Sequence, residues 1–163
     1  VVDEGVKYTH PDLAANMWTN AAELNGVEGV DDDGNGYVDD VYGVNTVELN
    51  GNISWNNRRY DSEGNYTGDV GHGTHVAGII AAVNNNGEGI SSIAGGSGNG
   101  DGVRIMSVQI FQENTGIANE RIAAGIEYAA DMGAAILQCS CLQHQVVCIL
   151  FITIKLLKVL HWD

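Results

Sequence analysis

Apolar runs alternate along the chain with stretches whose apolar residues recur at helical spacing. Residues 1–6 open with two valines and a carboxylate shortly before a glycine, which is typical of a buried parallel strand that presents an acid at its C-terminal end. Apolar runs at 103–111 and 134–140 predict two further strands, the second of them buried. Strand, helix and strand in succession indicate a parallel crossover, so the chain is predicted to be an α/β domain.

Two longer helices are predicted from the same pattern. Residues 72–83 form the first, and the Asn-Asn-Asn-Gly sequence at 84–87 is suited to a left-handed cap that stops it. The second is capped by Thr115 or Asn119 and ends at Gly133, and its apolar stripe consists of Ile122, Ile126, Ala129 and Ala130. A short helix is expected at 12–18, and residues 45–68 are expected to form a long surface loop.

The acidic composition of the chain favours cations as ligands. The chain has 163 residues, the length of one ordinary domain, and a formal net charge of -14 at pH 7. Such a charge opposes binding to nucleic acid or to an anionic membrane. Fourteen of the 21 Asp and Glu residues lie at or before Asp69, a concentration that a local calcium site explains better than solubility does. The apolar run at 146–154 is too short to span a bilayer as a helix.

Residues 31–39 match the first nine positions of a calcium-binding loop, with glycine at the sixth. Oxygen side chains stand at positions one, three, five and nine, and the residue at position seven would offer its carbonyl. The predicted ligands of a structural calcium ion are Asp31, Asp33, Asn35, Tyr37 and Asp39. Position twelve is Tyr42, so the bidentate glutamate of the motif is absent. The alternative is a solvated acidic loop without a cation.

Two histidines stand three residues apart at the start of the predicted helix 72–83. Glycine on both sides of His72 permits a tight turn and leaves the imidazole room to meet a substrate, which a packed core histidine does not need. His72 is therefore the strongest candidate for a general base. Asp3, at the end of the first predicted strand, is either the partner of that base or the cap of a turn.

Three motifs together resemble the subtilisin-like serine proteases over about residues 1–140: Val-Val-Asp-Glu-Gly-Val at 1–6, Thr-His-Pro-Asp-Leu at 9–13 and His-Gly-Thr-His-Val-Ala-Gly at 72–78. The resemblance implies a three-layer α/β fold with a mainly parallel sheet, incomplete at both ends of this chain. It also implies a polypeptide substrate and a location outside the cell or on its surface.

Asp3 and His72 would be the catalytic acid and base of the triad. Asp3 would accept a hydrogen bond from Nδ1, and Nε2 would take the proton of the nucleophile. Gly73 and Gly78 would permit close backbone approach.

The chain departs from that family in two respects. Glu4 stands where the family usually has a small residue, which places a second carboxylate beside Asp3. No Gly-Thr-Ser-Met-Ala-type motif occurs, so the nucleophilic serine is absent, and the oxyanion asparagine has no counterpart. Ser140 aligns with the start of the substrate-binding wall. Residues 141–163 differ in composition and are either a strand or sequence foreign to the fold, the latter through truncation or a shifted reading frame after Ser140. Without the serine motif, the chain is expected to be inactive alone.

Several other interpretations stay open at this point. Asp3, His72 and His75 could hold a catalytic metal, although metalloproteases space their two histidines four apart around a glutamate. The chain could be a non-enzymatic calcium-binding or interaction module, or a catalytically dead homologue. A zinc site on Cys139, Cys141, His144 and Cys148 has an uncommon spacing. The sequence does not indicate an oligomeric state.

Overall fold

A computed structural model of the protein describes residues 1–56, 60, 63–65, 71–112, 115–116 and 118–140. Within these residues three short strands alternate with three α-helices, and a single 3₁₀ turn lies at Ala14–Asn16. In chain order the elements are β1 (Val2–Asp3), α1 (Ala21–Leu24), β2 (Gly43–Asn45), α2 (His72–Ala81), β3 (Ser107–Gln109) and α3 (Asn119–Asp131).

The strands form one parallel sheet in the order β1, β3, β2. Val108 at its centre pairs with Val2 on one side and with Val44 on the other. Beyond β1, Cys139 forms an isolated parallel bridge with Val2, whose N–H donates to the carbonyl of Gln138 at 2.9 Å. Because all strands point the same way, their carboxyl ends meet at one edge, and β1 ends there on Asp3.

Two separate apolar clusters cover the sheet. One joins β1, β2 and β3 to α3 through residues that include Val2, Val44, Val108, Ile122 and Ile126. The other packs α2 against the turns that follow β1 through residues that include Val6, Leu13, Met17, Ala77 and Ala81. A parallel sheet between two helical layers is the predicted α/β class, and that prediction is confirmed.

Helix α3 buries most of the predicted apolar stripe and is terminated at Gly133, as predicted. Of the four predicted stripe residues, Ile122, Ile126 and Ala129 are buried at helical spacing and Ala130 is half-buried. Gly133 has φ +82°, and the N–H of Ala134 returns to the carbonyl of Ala129 at 2.8 Å, which satisfies one of the last free carbonyls of the helix. The predicted cap was wrong, because the helix follows Ala118 and has no side-chain cap.

The predicted strands are shorter in the structure. Residues 103–111 contribute β3 only at Ser107–Gln109, and Ile105 joins Met17 through an isolated bridge. The segment 134–140, predicted as a buried strand, has one bridge at Cys139, and Ile136 is 84% exposed. A single described neighbour on one side gives this segment too few ladder hydrogen bonds for a full strand.

Three further expectations need correction. The 45–68 stretch is not wholly a surface loop, because β2 ends at Asn45, and Asn45 and Ile53 are buried. The expected helix at 12–18 is the 3₁₀ turn Ala14–Asn16. Helix α2 ends in extended backbone at Ala82, before the predicted left-handed cap. Residues 141–163, including Cys141, His144 and Cys148, lie outside the described residues.

A membrane span was not expected, and none of the helices in the described parts of the chain has the length and apolar content needed to cross a bilayer.

The two helices that flank the sheet each contain an internal glycine, and the two glycines predict opposite effects of alanine. At Gly125 in α3 an added Cβ would lie 2.6 Å from Cγ1 of the buried Val108, whereas at Gly78 in α2 the nearest atom is Cδ1 of Ile90 at 3.9 Å. Helix propensity favours alanine by about 0.5–1 kcal/mol, and overpacking a core costs about 1–3 kcal/mol. We expect Gly78→Ala to raise and Gly125→Ala to lower the urea midpoint of unfolding; equal stabilisation by both would contradict the packing of α3 on β3.

Candidate active site and acidic loop

The carboxylate of Asp3 is buried at the end of β1. Asp3 is 2% exposed, and its Oδ1 accepts the N–H of Glu4 at 2.8 Å. Parallel pairing of β1 with β3 determines this position, because the register aligns Asp3 with Gln109 at the carboxyl edge. A buried carboxylate needs donors for its lone pairs, and the hydrogen bond from Glu4 supplies one of them.

The imidazole of His72 faces that carboxylate from the first residue of α2. Gly71 has φ +83°, a left-handed conformation that lets the chain turn into the helix without strain. His72 Nδ1 lies 2.9 Å from Oδ2 and 3.0 Å from Oδ1 of Asp3. The side chain of His72 is 41% exposed while that of Asp3 is 3% exposed. With Nδ1 bound to Asp3, Nε2 is the nitrogen left to exchange a proton with another group.

A glycine allows α2 to come this close to β1. A Cβ on Gly73 would overlap the carbonyl oxygen of Gly5 and would lie 3.1 Å from Cβ of Asp3. The expected close backbone approach therefore occurs at Gly73. At Gly78 it does not, because the atom nearest to a Cβ added there would be a side-chain atom of Ile90 and not a backbone atom.

Glu4, the residue that departs from the family pattern, is also buried at this junction. It is 1% exposed, and its Oε1 accepts the backbone N–H of His72 at 2.6 Å. The second carboxylate is thus directed at the start of α2, while that of Asp3 takes the imidazole.

The described residues do not form the alternative metal site at Asp3, His72 and His75. The single group of metal-binding side chains found in them is Glu23 with Asp31 and Asp33. His75 is exposed on α2 and lines a groove together with His10, away from the Asp3 carboxylate. The three-residue spacing of the histidines therefore does not bring them to one metal.

The acidic loop folds around its own carboxylates. Oδ1 of Asp31 accepts the N–H groups of Gly34 and Asn35 at 2.8 and 3.1 Å, and Oδ2 accepts that of Gly36 at 2.9 Å. These backbone bonds, the one from Gly36 foremost, hold the pKa of the Asp31 carboxyl below its usual range. Asp33 Oδ2 accepts from the amide of Asn20 at 2.8 Å.

Glu23 on α1 joins this loop, and the sequence interpretation missed it. Its Oε1 accepts the N–H of Asp32 at 2.7 Å, and its Oε2 accepts that of Asp39 at 2.9 Å. The group of Glu23, Asp31 and Asp33 places oxygen atoms within 4.8 Å of one another. The spacing of Asn20 and Glu23, which is that of a capping box, was a local signal for a helix start before the loop.

Among the other predicted calcium ligands, Asn35 adjoins that group, because its side-chain amide donates to Oδ2 of Asp33 at 3.1 Å, whereas the carboxylate of Asp39 has a different partner. Both carboxylate oxygens of Asp39 accept the N–H of Gly29, at 3.0 and 3.1 Å, and Asp39 itself has φ +55°. The amide oxygen of Asn35 accepts the N–H of Tyr37 at 2.8 Å. The structure therefore brings the carboxylates of Asp31 and Asp33 together, adds Glu23 to them and places the amide of Asn35 beside them.

A buried network connects the loop to α3. Asp40 is fully buried, and its carboxylate accepts from the amides of Asn20 and Asn35, each at 2.9 Å, and from the hydroxyl of Tyr128. Burial and this hydrogen bond to Asp40 raise the pKa of Tyr128 far above its ordinary value. Tyr128 therefore stays a protonated donor and satisfies a carboxylate that has no cationic side chain among these partners.

The comparisons with known proteins point to one family. Residues 1–146 match the Subtilase family. The chain is 50% identical over 97 residues to Subtilisin-like protease 1 of Plasmodium vivax, 60% of this chain and 13% of that protein. It is 33% identical over 140 residues to halolysin of Haloferax mediterranei and 31% identical over 140 residues to thermitase of Thermoactinomyces vulgaris, 86% of this chain in both cases. The matches span 20% and 35% of those two relatives, so the chain corresponds to a minor part of each protein's length.

The contact with Asp3 predicts the tautomer of His72. In the neutral form of the imidazole, we expect the proton of His72 on Nδ1, because the carboxylate of Asp3 accepts it there. Long-range ¹H–¹⁵N NMR spectra distinguish the two tautomers. The exposed His75 on the same helix is the internal control, and Asp3→Asn should shift His72 toward the Nε2 form. A wild-type His72 protonated on Nε2 would contradict the observed pairing.

Proposed function

Because the chain belongs to the Subtilase family, we propose that it carries the aspartate and the histidine of a serine-type endopeptidase that cleaves polypeptides. The observation that carries the proposal is the pairing of His72 Nδ1 with the buried carboxylate of Asp3 at 2.9 Å. Such a pair is the base half of a triad, in which the carboxylate orients the imidazole and stabilises the imidazolium that forms.

In this mechanism Nε2 of His72 takes the proton from a nucleophilic hydroxyl and later returns it to the leaving amine. Asp3 keeps its negative charge throughout and holds Nδ1 in the protonated tautomer. The 163 residues contain no Gly-Thr-Ser-Met-Ala-type motif, and we assign no nucleophile within them. We propose that the chain alone does not hydrolyse peptide bonds, and that the active enzyme works outside the cell or at its surface.

The test compares the isolated chain with one in which residues 1–140 are joined to the part of thermitase that follows its segment matched by this chain. We expect the isolated chain to give no fluorophosphonate labelling, and the joined chain to be labelled and to cleave a fluorogenic peptide. Asp3→Asn in the joined chain should lower kcat by about four powers of ten, because the imidazole loses the correct tautomer.

His75→Ala is the matched control, since His75 lies on the same helix and is exposed. It should leave kcat nearly unchanged. Near-normal hydrolysis by Asp3→Asn would refute the assignment of the acid, and serine labelling in the pure isolated chain would refute its inactivity. If the joined chain folds but does not cleave peptide, a calcium-binding module without catalysis becomes the better description.

We further propose that the acidic loop binds a structural calcium ion. The donors present are carboxylate oxygens, the hard ligands that calcium prefers, and Glu23 provides the glutamate that position twelve of the loop lacks. Asp31 and Asp33 are the predicted calcium ligands whose carboxylates form a group with Glu23. Tyr37, Asn35 and Asp39 would complete the shell after a local rearrangement of the loop.

Calorimetric titration with calcium tests this site. We expect Glu23→Gln and Asp31→Asn each to weaken binding by roughly tenfold or more, because each removes a charged ligand. Asp101→Asn is the control, since Asp101 is an exposed carboxylate that accepts the N–H of Ser97 at 2.7 Å on another glycine-rich loop. Equal affinity in all three variants, or no binding by the wild type, would leave the loop as a solvated acidic turn.

A further inference from the structure

We propose that Glu4 is a positioning residue for His72, holding the backbone of the residue whose imidazole Asp3 orients. The inference rests on the proposed function, because it assigns to Glu4 a part in presenting the base. The Glu4 carboxylate reaches across from the end of β1 and accepts the N–H of His72 at 2.6 Å.

The start of α2 explains why this hydrogen bond matters. The first N–H groups of a helix have no partner within the helix, and they are ordinarily satisfied by the side chain of the capping residue. Here the capping position is Gly71, which has no side chain, and α2 has no side-chain cap of its own. Glu4 supplies the missing acceptor from another element, and its negative charge lies at the positive end of the helix dipole.

Adjacent residues thus hold His72 at two points. Asp3 binds the imidazole through Nδ1, and Glu4 binds the backbone N–H of the same residue. The backbone of Glu4 is itself joined to the Asp3 carboxylate, because the N–H of Glu4 donates to Oδ1 of Asp3 at 2.8 Å. Both residues are almost fully buried, so neither carboxylate is free to exchange these bonds for bonds to bulk water.

Other contacts anchor α2 without touching His72. The N–H of Lys7 donates to Oγ1 of Thr74 at 2.9 Å, and Gly73 packs on the backbone of Gly5. These contacts hold the helix against the segment after β1. The Glu4 hydrogen bond differs from them because its donor is the backbone N–H of His72 itself. Substitutions at the two kinds of contact can therefore distinguish a positioning effect on His72 from a general loss of stability.

The test measures solvent exchange of the His72 Nδ1 proton by NMR in the full chain labelled with ¹⁵N-histidine. Glu4→Ala should speed exchange by roughly tenfold or more, since it removes a hydrogen bond to a charged group. Glu4→Asp, one methylene shorter, should speed exchange as well, and Glu4→Gln, which keeps the length and a carbonyl acceptor, should restore the wild-type rate within about twofold. Thr74→Ala should lower the thermal midpoint and leave the exchange rate unchanged.

The proposal is overturned if folded Glu4→Ala or Glu4→Asp exchanges at the wild-type rate, or if Glu4→Gln exchanges as fast as Glu4→Ala. If Glu4→Ala does not fold, the comparison of Glu4→Asp with Glu4→Gln decides. Asp3→Asn separates this inference from the proposed function. If it leaves Nδ1 protonated with the wild-type exchange rate, the acid-base pair itself fails; if it removes the Nδ1 proton or speeds its exchange while Glu4→Asp does not speed it, only the role of Glu4 fails.

Discussion

The close approach of α2 to the end of β1 is the constraint on which the site depends. The helix begins at His72, and its second residue is a glycine because a side chain there would overlap the backbone of Gly5. Because α2 lies this close to β1, the imidazole of His72 is within hydrogen-bond distance of Asp3, and the backbone N–H of His72 donates to Glu4. A wider separation would break both bonds at once, so packing of the helix and chemistry of the base share one geometric requirement.

The structure buries carboxylates by surrounding them with N–H and O–H donors. Asp3 receives its bonds from a neighbouring N–H and from His72, and Asp40 receives its bonds from two amides and Tyr128. Removing one of these donors would leave an acceptor atom of a buried charge unsatisfied, which costs more than losing an exposed hydrogen bond or ion pair. The first of these carboxylates lies against His72, and the second lies beneath the acidic loop.

Local patterns predicted the parts of the fold that local interactions dominate. The stripe on α3 and its glycine terminus follow from spacing alone, because both depend on residues within a few positions of one another. The hydrophobic pattern does not indicate β2, where Val44 stands alone between a glycine and a buried asparagine. That strand exists because Ser107–Gln109 lies beside it and completes its hydrogen bonds.

The sequence by itself determined the α/β class and identified Asp3 and His72, because the motifs around them state residue type, order and local backbone freedom. It also located the acidic loop through the spacing of its oxygen side chains. Only the tertiary structure decided that Glu4 turns to the backbone of His72 and that Glu23 enters the acidic loop. Both contacts join segments that are brought together by the packing of the sheet, helices and turns. The pattern of residues along the chain carries no information about the distance between such segments in space.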